Sequence, residues 1–332
     1  MFASELREDK PAGWLPFGGK EGIINSTKIE WVKNPDGSQG YTWNPITGCI
    51  NHVNGLCKGG NFPCYAYKLA DGRLKQRYLA NTNLAPVSGG FADIGSKRTD
   101  PFSPRFWEDR MDDPFLSDRN ICIKRHTRGQ RRTPRGIFVC DMGELFGDWL
   151  PRKWQEEIHL TILFNPQHRF YLLTKQPQNL IKFSPYPENC WVGVTATDTR
   201  LALEACLKLR DIQAPIKYLS LEPMLHSINL PFELLKICGI NWIIIGQCTP
   251  VKQATMPEMS WIQNILVAAS NAGNIPVFMK DNLLPLFPDN SPLIPCHNEL
   301  LMMNHSLCEN CQHDECDRCG VIWKLRQEMP RG

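Results

Sequence analysis

From residue 136 onward the chain alternates short, almost wholly apolar runs with longer segments of helical period, and few architectures accept that rhythm. The runs span residues 136–140, 169–174, 190–195, 217–221, 241–245 and 275–279. Segments such as 151–163 and 199–210 lie between them and repeat apolar residues at helical spacing. An apolar run with no alternation predicts a strand covered on both faces. Strand and helix in strict alternation predict βαβ units and a parallel sheet. An earlier strand in 41–48 brings the number of units to seven. The fold class is therefore α/β. Seven units suit a partial or closed parallel β/α barrel, TIM-like in plan, with a doubly wound sheet as the alternative.

Each run ends in small or polar residues. These are Asp141, Gly143 and Glu144; Thr174, Lys175 and Gln176; Thr195, Thr197 and Asp198; Ser220 and Glu222; Gly246 and Gln247; and Lys280 and Asp281. In a barrel the loops after the strands build the site. Each residue has a plain alternative. Asp141 and Asp198 suit helix caps, and Glu222 suits a solvated loop. Their common placement at one end of the strands is the argument for a mouth.

Two segments interrupt the rhythm. Residues 80–135 are rich in Pro, Gly, Asp and Arg and read as an insertion between the first two strands. Within it Lys124, Arg125, Arg128, Arg131, Arg132 and Arg135 fall in twelve residues without an acid. Such a density of positive charge suits nucleic-acid phosphates. The alternative is a solvated loop balanced by Glu108, Asp109, Asp112 and Asp113. The boundaries expected are an N-terminal extension over 1–28, the barrel over 29–285 with its insertion over 80–135, and a Cys-rich tail over 286–332.

Cysteine usage carries the rest. The chain has 14 cysteines. No apolar signal core opens it and no stretch approaches a membrane span, so a cytoplasmic protein with no membrane partner is expected. In a reducing compartment many thiols point to metal or cluster binding before disulfides. Cys308, Cys311, Cys316 and Cys319 form C-x2-C-x4-C-x2-C in the tail, a ligand set for zinc or for an iron–sulfur cluster. Cys49, Cys57 and Cys64 sit in an aromatic-flanked stretch near the first strand. Three thiolates can hold a four-iron cluster and leave one iron open. Gaps of seven and six residues leave buried, metal-free thiols as the other reading.

The string Ile29-Glu30-Trp31, the run Thr42-Trp43-Asn44-Pro45-Ile46-Thr47-Gly48-Cys49, then Cys57 and Cys64-Tyr65-Ala66 resemble a phage and bacterial family known mainly as a domain of unknown function. That family is similar to radical S-adenosylmethionine proteins. Further matches run through 138–149, 172–175, 191–194, 219–223 and 242–246, so the resemblance spans roughly residues 28–282. The family pattern brings its second and third cysteines together as C-x2-C and carries Gly-Glu where Gln247-Cys248 stands here. The resemblance implies a radical-SAM-like partial barrel with a [4Fe-4S] cluster on Cys49, Cys57 and Cys64. It also implies S-adenosylmethionine on the open iron and a flavodoxin or ferredoxin as electron donor. By the same resemblance Tyr65 lies near the adenine, and Asp141, Gly143 and Glu144 hold the methionine amino group. Thr195, Thr197, Ser220 and Glu222 are ribose or carboxylate contacts by position at strand ends.

The function expected is radical chemistry that modifies or repairs a nucleic acid. Two other classes stay open: a metal-stabilised nucleic-acid-binding protein without catalysis, and a radical enzyme acting on a protein or small molecule. A second [4Fe-4S] cluster or zinc is expected in the tail.

Overall fold

The structure, a computed structural model, describes residues 24–86, 97–116, 133–286 and 325–330. Its centre is one sheet of eight strands: β1 (Asn25–Ser26), β2 (Tyr41–Trp43), β3 (Gly136–Val139), β4 (Arg169–Thr174), β5 (Cys190–Thr195), β6 (Ile216–Leu221), β7 (Trp242–Ile245) and β8 (Val277–Met279). Spatial order follows chain order, and every neighbouring pair except β1–β2 is parallel. The fold is α/β with a mostly parallel sheet. A doubly wound sheet would reverse its strand order at a switch point. This one does not, so that alternative falls.

The apolar runs have two buried faces because alternate side chains serve two different cores. Outward residues such as Ile137, Leu172, Val192, Leu219 and Ile243 pack with the crossover helices. Those helices are α3 (Arg152–Leu163), α4 (Thr199–Arg210), α5 (Phe232–Ile237) and α6 (Met259–Asn271), preceded by α1 (Tyr65–Asp71) and α2 (Lys75–Ala80) near the cysteines. The β4–β5 crossover is a 3₁₀ helix, Pro177–Phe183. Asp198 caps α4, accepting from Leu201 N at 2.8 Å. For this residue the cap is the outcome.

Inward residues Phe138, Tyr171, Trp191, Tyr218, Trp242 and Phe278 form a second core with Trp31. The Trp31 ring lies 5.0 Å from Phe138, 5.7 Å from Tyr171, 6.1 Å from Tyr218 and 6.0 Å from Trp242, centroid to centroid. These residues belong to β3, β4, β6 and β7. In a flat sheet β3 and β7 would stand roughly 19 Å apart, at about 4.8 Å per strand. One indole touches both, so the sheet is tightly curled around it.

The described residues contain no ladder from β8 back to β1. Another segment covers that edge instead. Met279 N donates to Arg326 O at 2.7 Å, and Glu328 N donates to Val277 O at 3.0 Å. Trp242 Nε1 reaches Glu328 O at 2.9 Å. A closed barrel is therefore not seen among the described residues. Of the expected insertion, Arg105–Phe106 pairs with Ile46–Thr47 beside the cysteine loop. The fully buried Arg105 donates to Asn81 O and Ser103 O, at 3.0 and 2.8 Å. No described helix is long and apolar enough to cross a membrane. Most of the expected extension and tail lies outside the described residues.

Candidate functional site at the strand C-termini

The cysteine loop begins where β2 ends. Gly48 turns it with φ +88°, and a Cβ there would stand 2.5 Å from the carbonyl oxygens of Phe102 and Ser103. Only glycine serves at such a φ and approach. Gly48 N donates to Met142 O at 2.9 Å, and Cys49 N to Phe102 O at 3.0 Å. The two long gaps between cysteines are then folded away. His52 pairs with Cys57, and Leu56 with Pro63, in a small antiparallel meander. Cys64 N donates to Gly55 O at 2.8 Å and opens α1. The departure from a tight C-x2-C is thus accommodated by two turns, and the three cysteines stay within one loop and its meander.

All three thiols are free, with Cys57 buried and the others half-buried. Burial pushes the Cys49 thiol up, and the charges of Glu144, Cys57 and Cys64 act in the same direction. Burial raises Cys57 too, while the Lys175 ammonium pulls it down. A shared cation would remove the protons that burial holds on Cys49 and Cys57. Among the described residues no three ligating groups converge on a single metal ion. A cubane cluster asks for something else, since each thiolate takes a different iron. The donor set fits that group.

The meander is fixed to the sheet. Thr197 Oγ1 donates to Gly59 O at 3.3 Å, and a Cβ on Gly60 would lie 2.5 Å from that hydroxyl. Lys175 Nζ lies 5.8 Å from the Phe62 ring centroid. Thr197 is thereby a clamp on the cysteine loop.

The strand parity explains what faces this loop. Tyr171, Trp191, Tyr218, Trp242 and Phe278 point inward, so Lys175, Thr195, Ser220, Gly246 and Lys280 occupy the inner layer above them. That layer is polar over an aromatic floor. Thr195 is 6% exposed and its Oγ1 has no partner among the described residues. Ser220 is 1% exposed. Glu222 pairs with Lys280. Gly246 makes room for that pair, since a Cβ would meet Lys280 Cδ at 3.0 Å and Glu222 Cγ at 3.2 Å. Beside them Glu30 accepts from Asp281 N at 2.6 Å, and burial raises its carboxyl.

Two carboxylates from the loop after β3 differ in availability. Glu144 is buried, and its oxygens accept from Thr174 Oγ1 at 2.6 Å, Phe146 N at 3.1 Å and Lys175 N at 3.0 Å. It fastens this loop to the end of β4. Asp141 accepts from Asn44 Nδ2 at 2.5 Å. Burial raises its carboxyl to about 6, with the Asn44 hydrogen bond opposing the shift. The Tyr65 hydroxyl donates to the Asp141 carbonyl while the residue remains 52% exposed. Gly143 bridges Gly48 in a close backbone approach.

The eight residues expected to bind the cofactor therefore share one end of the sheet with the three cysteines. Glu30, Asn44 and Lys280, which the sequence reading did not single out as ligands, belong to the same end. Of the six expected nucleic-acid contacts, Arg135 precedes β3, at the opposite end of the sheet, with its guanidinium 4.5 Å from the Tyr41 ring centroid. Lys124, Arg125, Arg128, Arg131 and Arg132 lie outside the described residues, as do Cys308, Cys311, Cys316 and Cys319.

Residues 26–282 match the family model described as "Protein of unknown function (DUF5131)", well over half of the chain. No curated protein matches. Among solved structures the chain is similar to one titled "Spore photoproduct lyase complexed with dinucleoside spore photoproduct". The identity is 13% and the TM-score 0.38, over 75% of this chain and 64% of that one. The chain thus spans less than two thirds of that protein, and a likeness of this degree says nothing about chemistry.

Proposed function

The chain belongs to the DUF5131 family of proteins of unknown function, and we propose that it is a radical S-adenosylmethionine enzyme acting on a nucleic acid. The observation that carries this reading is the placement of Cys49, Cys57 and Cys64 on one loop tied to the polar C-terminal ends of a curled parallel sheet. The motifs that resemble radical S-adenosylmethionine proteins fall on these same loops. In this reading the sheet is a radical-SAM-like partial barrel, and the unit boundaries are those expected at 28/29 and 285/286.

Cys49, Cys57 and Cys64 would hold a [4Fe-4S] cluster. When bound, the cluster and S-adenosylmethionine supply one-electron cleavage of a sulfonium bond. The chain's own residues bind and orient. Asp141 offers a carboxylate to the methionine ammonium, with Asn44 fixing one of its oxygens. Glu144 holds the shape of that loop. Tyr65 presents an exposed ring beside Cys64 for a base to stack upon. Thr195, with an orphaned hydroxyl, and Ser220 face the space above the aromatic floor and suit ribose hydroxyls. The Glu222–Lys280 pair offers one charge of each sign at the rim. The aromatic core around Trp31 closes the other end against water. A flavodoxin or ferredoxin donor, a cytoplasmic location, and a second cluster or zinc in the tail complete the proposal.

A non-catalytic metal protein would need the cysteine centre alone and would leave the Thr195 hydroxyl, unpaired among the described residues, and the polar inner layer without a role. The test is anaerobic reconstitution of the full chain with iron and sulfide, then reduction with S-adenosylmethionine present. Cluster absorbance near 400 nm and release of methionine and 5′-deoxyadenosine are expected. A colourless zinc protein that leaves S-adenosylmethionine intact would overturn the reading.

A further inference from the structure

One cluster of cationic groups stands beside the mouth and serves none of the roles above. Trp107 is buried, and its Nε1 donates to Thr47 Oγ1 at 2.8 Å, so its ring is fixed. The Arg110 guanidinium lies 3.8 Å from the Trp107 centroid and that of Arg77 lies 5.9 Å from it. The Tyr78 ring is 5.7 Å from the same centroid. Burial and the charge of Arg77 both hold Arg110 below the usual guanidinium range. Two like charges are thus held close around one ring.

Among the described residues neither arginine has a carboxylate within 4.0 Å. Asp109 and Asp113 act on Arg110 without an ion pair to it within that distance among the described residues. Burial raises the Asp113 carboxyl to about 7, so it is in part neutral at ordinary pH. Arg110 Nη1 donates to Asn44 O at 2.8 Å, its one hydrogen bond from the guanidinium among the described residues. The rest of its fork makes no hydrogen bond to the described residues. The Tyr78 hydroxyl also makes no hydrogen bond among the described residues and feels the charge of both arginines. A half-buried guanidinium beside a like charge is costly unless an anion joins it.

The cluster is coupled to the site by position. Arg110 holds the Asn44 carbonyl, and the Asn44 side chain holds Asp141. Two arginine forks and a phenol hydroxyl match the oxygens of a phosphate. We propose that Arg77, Arg110 and Tyr78 form a phosphate seat that receives a phosphodiester of the nucleic-acid strand lying across the mouth. The seat rests on the reading of the site as one that acts on nucleic acid, and it names the group by which the substrate is anchored.

The test uses the full chain, purified anaerobically, and a fluorescent single-stranded oligonucleotide titrated over a range of salt, in DNA and RNA forms. Arg77 is exposed and can be removed without disturbing the core. Arg77→Ala should weaken binding roughly fivefold, the equivalent of about 1 kcal/mol. It should also flatten the slope of log affinity against log salt by about 0.7, one phosphate contact on a single strand. Arg110→Lys keeps the charge but loses the fork, so it should weaken binding with little change of slope. Tyr78→Phe should weaken it without any change of slope. Arg73→Ala, an exposed arginine nearby, is the control and should bind like wild type. Inorganic phosphate in excess should compete with the oligonucleotide on wild type and less on Arg77→Ala. Wild-type affinity and slope in Arg77→Ala and Arg110→Lys would overturn the seat. So would an equal loss in Arg73→Ala, or no binding by wild type to either strand. Iron content and thermal midpoint report the fold of each variant. If the arginine dependence holds while S-adenosylmethionine is never cleaved, the seat stands and the radical reading falls.

Discussion

Asp141 and Glu144 are three residues apart and carry the same charge, yet their surroundings give them different work. Glu144 spends its oxygens on Thr174, Lys175 and Phe146. Asp141 is half-buried, is raised to about 6 and lies beside Tyr65 at the mouth. Asp141→Asn should therefore weaken S-adenosylmethionine binding about tenfold to a hundredfold, the equivalent of about 1.5–3 kcal/mol for a charge-assisted hydrogen bond. Calorimetric titration measures this directly. The pH dependence has a definite sign. The Asp141 carboxylate is charged above about 6 and protonated below, so affinity should fall as pH drops through that value. Asp141→Asn should remove this step. The carboxyl is raised on folding, so it favours the folded state below its unfolded value, near 3.9. That contribution is lost as pH rises toward 6. Glu144→Gln should instead lower the thermal midpoint, because it breaks a buried clamp.

At the scale of elements, the long strands were legible and the short ones were not. The seven apolar runs in 41–48 and beyond 136 become β2 to β8, with ends shifted by one or two residues in most of them. A continuous apolar run is a local signal, and local signals survive in sequence. Asn25–Ser26 and the meander around Cys57 are two-residue strands held by partners distant from the local pattern. Nothing in their own residues announces them. The covering of β8 by residues 325–328 is of the same kind, since its partners lie about fifty residues apart. Arg77 and Arg110 come from two elements and meet only over Trp107, so no spacing could reveal the pair. The candidate mouth was readable because a parallel sheet sends every strand end to one side. The cysteine element itself hangs on one glycine. Gly48→Ala must bear a φ of +88° and a carbonyl 2.5 Å away. A strained φ alone costs on the order of 1–3 kcal/mol. The variant should fold with a lower thermal midpoint and bind less iron, measured by calorimetry and metal analysis.

For the whole molecule, curvature decides what the sheet can enclose, and Trp31 sets the curvature. Its ring meets Phe138, Tyr171, Tyr218 and Trp242 from four strands, and it is 2% exposed. Trp31→Ala leaves a large cavity at that centre and should cost about 3–5 kcal/mol. In a chain of 332 residues, at about 2.1 cal/mol/K per residue, the thermal midpoint should fall by about 4–7 °C. Trp31→Phe should recover much of the loss. An unchanged midpoint in Trp31→Ala would mean that the curl has another cause. Above this aromatic floor the same sheet carries polar residues, and the cysteine loop meets their rim at Thr197 and Lys175. That arrangement belongs to the molecule as a whole, since it draws on β2 for the cysteines and on β3 to β8 for the rest.

The central claim is that Cys49, Cys57 and Cys64 hold one iron–sulfur cluster that serves S-adenosylmethionine. The most direct measurement compares the full chain with a variant carrying Cys49→Ala, Cys57→Ala and Cys64→Ala together. Both are reconstituted anaerobically, reduced and assayed for methionine and 5′-deoxyadenosine. The wild type should form both products. The triple variant should lose the iron of this site, keep any metal held by the tail, and form neither product. A triple variant that cleaves S-adenosylmethionine at the wild-type rate would contradict the claim.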